Sequence, residues 1–277
     1  MDLPFFLLLL VVVATLAWFV GAPMLRQRRR AARSRKALPQ EWRDWLERDM
    51  TIYRRLPAEL RERLHAVIRV FIDEKRFVGC NGLEVTDHMR VLVAAYAGLL
   101  VLNRPGVPDR QLYDDLYAIL IYPGAFVVPE SHHDETGLVT EGERVLSGQT
   151  WDSRRIILSW EDIELARDED HNVVLHEFAH YLDMEDETMD GAPGLGSEEA
   201  YEAWSEIFWE EYERLQDDVD AGRPTLLDPY AATEPAEFFA VATESFFIHS
   251  RELAARHPGL YEQLRRYYRL DPASWEA

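Results

Sequence analysis

Residues 173–183 read VVLHEFAHYLD. The stretch carries His-Glu-x-x-His inside an apolar run compatible with a helix. On an α-helix, residues four apart share a face, so His176 and His180 project side by side and two imidazoles at that spacing can hold one Zn²⁺. Glu177 lies on the neighbouring face, where a carboxylate can take a proton from a zinc-activated water. Val173, Val174, Leu175, Phe178 and Leu182 make the helix apolar on most sides, the pattern of a buried helix. Imidazoles and a carboxylate inside it need partners, because unpaired polar groups in an apolar interior are costly. The plainer alternative is a pair of satisfied core histidines.

Towards the N-terminus, acidic residues 168–170 and His171 lead into this helix, where the helix dipole favours negative charge. Residues 144–160 read as two strands around a turn at Asp152-Ser153. The second, Arg155 to Trp160, is expected to offer an edge to an extended substrate. Residues 116–129 look like strand material broken by Pro123 and Gly124. Residues 130–142 are polar and turn-rich, and His132 and His133 within them are expected in a solvated loop. Two further helices are expected at 57–74 and 86–102, the second capped by Thr86 or Asp87. Residues 77–82 read as a loop and 38–49 as a short surface segment. Beyond the motif, a Gly/Pro-containing loop at 184–196 leads to a helix from Ser197 to Gln216, and a helix opening on Pro235 covers 234–249. A short helical segment follows at 251–275.

The formal net charge of −20 is uneven. Residues 1–36 carry +6, which leaves −26 on the other 241 residues. An acidic body argues against nucleic-acid phosphate as a direct partner. Cys80 is the only cysteine, which rules out an internal disulfide and a thiolate-cluster zinc site and suits a reducing compartment. Residues 4–25 form an uncharged apolar run long enough to cross a bilayer, followed by seven basic residues from Arg26 to Lys36. The positive charge follows the run, so the expectation is one N-terminal transmembrane helix with the body in the cytoplasm rather than a cleaved leader. The expected domains are a membrane anchor with its basic segment, 1–36, and a catalytic body, 37–277.

A catalytic zinc needs a third protein ligand and one open position. On the helix at 234–249, Glu237 and Glu244 are seven residues apart and so share a face, among Phe238, Phe239, Val241, Phe246 and Phe247. Glu237 on the metal, and Glu244 accepting the second ring N–H of a ligand histidine, would satisfy both carboxylates. An arginine partner for either is the alternative. HEFAHYLD followed by DPYAATEPAEFFAVATESFF resembles the Mlc titration factor A family of zinc peptidases, whose catalytic core is similar to that of the anthrax lethal factor protease. The resemblance implies Glu237 as third zinc ligand. It also implies Tyr230, seven residues before Glu237, as a donor to the oxyanion at the scissile carbonyl. Asp183 matches the family motif too, and could either steady a ligand or end the helix.

The resemblance implies an α+β fold: a mostly helical, zincin-like (gluzincin) metallopeptidase domain with a small β-sheet beside the His-Glu-x-x-His helix, preceded by the transmembrane helix. The expected function is zinc-dependent peptide hydrolysis, aminopeptidase-like and linked to transcriptional regulation, at an inner-membrane location. One Zn²⁺ per chain, a peptide or protein substrate, a regulatory protein partner and the membrane through residues 4–25 are the expected cofactor and partners. The alternative is a membrane-tethered module that sequesters a regulatory protein, with zinc mainly structural. Glu177 separates the two, because a structural site closed by four ligands needs no base.

Overall fold

A computed structural model of the chain describes residues 3–275 other than 125, 134–138, 147, 153–154, 166–170 and 187. The fold is mostly helical with a small sheet. It opens with α1 (Leu3–Ser34), α2 (Gln40–Asp49), α3 (Thr51–Arg55) and α4 (Ala58–Glu74). Strand β1 (Arg76–Gly79) and helix α5 (Asp87–Leu100) follow. Then come β2 (Ala118–Tyr122), β3 (Phe126–His133), β4 (Val139–Leu146), β5 (Gly148–Asp152) and β6 (Arg155–Ser159). The chain closes through α6 (Trp160–Leu165), α7 (Val173–Asp183), α8 (Glu198–Asp220), α9 (Pro235–Ile248), α10 (Ser250–Arg256) and α11 (Pro258–Tyr268).

Local chemistry accounts for several boundaries. Thr86 Oγ1 accepts the Met89 N–H at 3.3 Å to start α5, and Ser197 Oγ accepts the Ala200 N–H at 3.3 Å to start α8. Pro235 occupies the first turn of α9, where its missing N–H costs nothing. The described part of helix α8 continues to Asp220, one turn past the expected end at Gln216. The short surface segment expected at 38–49 is largely the helix α2: one face of this amphipathic stretch packs on α5 and buries Leu46 completely, while most of its other residues keep some exposure. Residues 77–79, expected in a loop, belong to β1 and pair with β2.

The sheet runs β1-β2-β6-β5, with β1, β2 and β6 parallel and β5 antiparallel to β6. Strand β6 is therefore paired on both sides, and it has no edge to offer a substrate. The edge beside α7 belongs to β5, since α7 packs across β5 and β6. The polar stretch 130–142 is also not a simple loop. Strands β3 and β4 form a separate antiparallel pair in which His132 stands opposite Thr140 and His133 opposite Val139. The turn expected at Asp152-Ser153 and the acidic lead 168–170 fall partly or wholly outside the described residues.

The expected transmembrane helix at 4–25 is corrected. Among the described residues, no helix is long and apolar enough to cross a membrane. The stretch is instead part of the 32-residue α1, which runs unbroken into the arginine cluster and docks by it. Arg30, 2% exposed, donates from Nε and Nη2 to the Glu74 carboxylate at 2.7 and 2.6 Å and from Nη2 to Asp114 at 2.6 Å. Arg33 pairs with Asp73. Three of the arginines read as topology signals, Arg26, Arg30 and Arg33, are thus engaged by carboxylates of the body. The single-pass inner-membrane location rested on that span and falls with it.

The core is continuous from α4 and α5 through α7 to α9. Phe178 of α7 is fully buried, with ring centroids 5.9 Å from Phe71 and 5.1 Å from Tyr113. These aromatic contacts, tilted to Phe71 and edge-on to Tyr113, fix how α7 lies on the core. Phe178→Ala removes that anchor and leaves a cavity. Urea denaturation of the variant is expected to show a loss of about 3–5 kcal/mol.

Candidate metal centre

Helix α7 starts at Asn172, whose Oδ1 accepts the Leu175 N–H at 2.9 Å. Every residue of α7 is buried, including His176, Glu177 and His180. Helix α9 packs along it and brings Glu237 and Glu244 to the facing side. The Nε2 atoms of His176 and His180 are 3.1 Å apart, and Glu237 Oε2 lies 3.0 Å from the first and 3.3 Å from the second. Three ligand-type atoms thus converge from two helices.

The group fits a metal by two tests. Two imidazole nitrogens and a carboxylate oxygen are the donors of an open, catalytic zinc site. Four-coordinate zinc with bonds of about 2.0–2.1 Å keeps its ligands roughly 3.3 Å apart, close to the separations here. Among the described residues, a second compact group, His171, His176 and Glu244, shares His176 with the first.

Glu244 turns inward behind His176. Its Oε1 accepts from His176 Nδ1 at 2.7 Å, while Oε2 accepts from His171 Nδ1 at 2.7 Å and from the Asn172 N–H at 2.5 Å. With Nδ1 donating, the Nε2 lone pair of His176 is directed at the Glu237 side. The alternative arginine partners for Glu237 and Glu244 are not what these carboxylates contact; both face histidines.

Without a metal, protons take the cation's place. Burial opposes charging His176, but hydrogen bonds to Glu237 and Glu244 outweigh it and hold the imidazolium well above the ordinary histidine range. Burial would raise Glu237, yet its bonds to His176 and His180 pull it well below the usual carboxylate range. Glu244 is lowered in the same way, against burial, by His171 and His176.

Tyr230 stands on a short 3₁₀ turn, Pro229–Ala232, fixed where Asp228 Oδ1 accepts the Tyr230 N–H at 2.8 Å. Its half-exposed ring is centred 6.4 Å from that of His176. Asp183 Oδ2 accepts the Gly191 N–H at 2.9 Å, and Gly191 O accepts from Trp204 Nε1 at 3.0 Å. Gly191 has φ +80°, and a Cβ there would come within 2.4 Å of Phe208 Cζ and 2.6 Å of Pro235 O. Asp183 thereby ties the loop after α7 to α8 and to the start of α9. The structure brings His176, His180, Glu237 and Glu244 together, with the Tyr230 ring beside His176; Glu177 is buried on α7 next to His176, and the contact described for Asp183 is to Gly191.

Sequence reasoning missed Asn172 and His171. Asn172 was legible, because Asn immediately before an apolar helical run is an N-cap signature. His171 had no local signal, since its partner lies on a distant helix.

The sequence model of the glucose-regulated metallo-peptidase M90 family matches residues 24–269, so it begins inside α1. An uncharacterised protein of Synechocystis sp. is 39% identical over 274 residues, 98% of each chain. Mlc titration factor A of Yersinia pestis and of Yersinia pseudotuberculosis are each 34% identical over 223 residues, 78% of this chain and 81% of theirs.

Metal uptake must displace the extra proton on His176. Apparent metal affinity is therefore expected to rise about tenfold per pH unit until pH passes the raised value of His176. Competition titration with a chromophoric chelator measures this. The linkage sign follows from the same shifts. The raised His176 stabilises the metal-free fold below its unfolded value and loses that effect as pH rises through its folded value. The lowered Glu237 and Glu244 contribute above their unfolded values and lose their effect in acid. Metal-free protein should then melt at a lower temperature near about pH 9 than near about pH 6, a fall that the metal-loaded form lacks.

Proposed function

The chain belongs to the glucose-regulated metallo-peptidase M90 family, and from that premise we propose that it is a zinc-dependent peptidase with His176, His180 and Glu237 as ligands. The observation that carries the reading is the convergence of their three ligand atoms, 3.0–3.3 Å apart, between two buried helices. Held by His176, His180 and Glu237, a zinc ion would supply an activated water and polarise a substrate carbonyl. Glu177, next to His176 on α7, takes the proton from that water and delivers it to the amine that leaves. Tyr230 donates a hydrogen bond to the oxyanion that develops at the scissile carbonyl. Glu244 holds His176 in the tautomer whose Nε2 is free to coordinate. Asp183 acts one layer further out, by anchoring Gly191.

The finer assignment is aminopeptidase-like cleavage of short peptides, which rests on the family resemblance. A regulatory partner is a second reading. It is favoured by the 34% identity to proteins whose name, Mlc titration factor A, refers to Mlc. The strongly acidic body suits a partner with a basic surface. The two roles can share one chain.

Glu177→Gln is expected to retain zinc and lose about 10²–10⁴-fold in kcat. Tyr230→Phe should lower kcat about 10²-fold with KM little changed. A panel of short peptides with free and blocked N-termini measures both. Equal cleavage of blocked peptides would remove the aminopeptidase assignment. No hydrolysis by zinc-loaded parent protein would leave the regulatory reading.

A further inference from the structure

Glu244 has more partners than the orientation of one histidine requires. Its side chain is 3% exposed, and a carboxylate can only accept. Oε1 serves His176, while Oε2 takes two donors supplied by the residues just before α7. The Asn172 N–H is set by the cap of α7 and is one rigid donor. A single donor on Oε2 leaves the terminal torsion of a glutamate soft, because that torsion is broad. The second donor, His171 Nδ1, closes the set and fixes the carboxylate plane.

His171 also covers the bond it steadies. Its ring packs edge-on to His176, with centroids 5.7 Å apart. Its side chain is 51% exposed while those of His176 and Glu244 are 9% and 3%, so it lies on the solvent side of the pair it touches. An ion pair at an exposed histidine ordinarily contributes little. Here the partner is a buried carboxylate that in turn touches a ligand, and the consequence is felt at the metal.

We propose that His171 is a positioning residue of the metal centre, a clamp that holds Glu244 in the rotamer from which it orients His176. This rests on the reading of His176 as a metal ligand. His171 itself is assigned no metal and no proton transfer.

The test is zinc affinity of the full chain, stripped of metal and titrated with Zn²⁺ against a chromophoric chelator. The parent should bind one equivalent. His171→Ala and His171→Phe, the latter keeping the ring without a donor, should each weaken binding about tenfold. His171→Asn places an amide N–H near the position of the imidazole Nδ1 and should remain within about threefold of the parent. In a Glu244→Ala background, His171→Ala should add less than about twofold, since the clamp has nothing left to hold. Unchanged affinity in both His171→Ala and His171→Phe overturns the proposal, and so does an equal loss with and without Glu244. A second zinc equivalent that disappears with His171 would make it a ligand and overturn it too. Failure of the underlying reading looks different: the parent would bind no zinc, or His176→Ala would bind it as tightly as the parent.

Discussion

A hydrogen bond between two buried helices sets the geometry of this protein's site. Glu244 of α9 accepts from His176 Nδ1 of α7 at 2.7 Å, with both side chains removed from water. Neither group is tolerable there alone: a buried carboxylate or imidazolium without a partner costs several kcal/mol. Their pairing fixes the axial register of α9 against α7. Two turns earlier on the same face of α9, Glu237 is then delivered beside the Nε2 atoms of His176 and His180. A one-residue shift of either helix would send at least one of these carboxylates into the phenylalanine core.

The rest of the body holds that pair of helices still. Phe178 anchors the opposite side of α7 among aromatic rings, and Phe238, Phe239, Phe246 and Phe247 bury the back of α9. At Gly191 the loop after α7, helix α8 and the first turn of α9 meet. Its positive φ and the nearness of Pro235 O leave no room for a side chain. The carboxylate of Asp183, one turn past His180, holds that loop in place. Side chains at such a junction keep their positions because the elements carrying them cannot slide independently.

The N-terminal helix shows how a local pattern can be overruled. An apolar run followed by arginines satisfies the composition of an anchor and its topology signal. In the fold, the arginine end is a docking surface. Arg30 is buried against Glu74 and Asp114, a bidentate contact that an exposed, lipid-facing cluster would not make. The carboxylates that capture it lie 44 and 84 residues away in sequence, so no window of sequence around Arg30 could contain them.

The sequence by itself determined the helix at Val173–Asp183, its burial and the shared face of His176 and His180, because these follow from the 3.6-residue period and from apolar flanks. It also determined α9 and the shared face of Glu237 and Glu244, for the same reason. The strand at Arg155–Ser159 was legible, but its lack of a free edge was not, since the partners β2 and β5 are chosen by the sheet as a whole. Tertiary structure alone decided that His171 and Asn172 share Glu244, that Asp183 holds Gly191, and that α1 docks through Arg30. Each of these is a contact between residues distant in sequence or specific in rotamer. Periodicity records which face of a helix is apolar, whereas the identity of the group opposite that face is settled only when the helices pack.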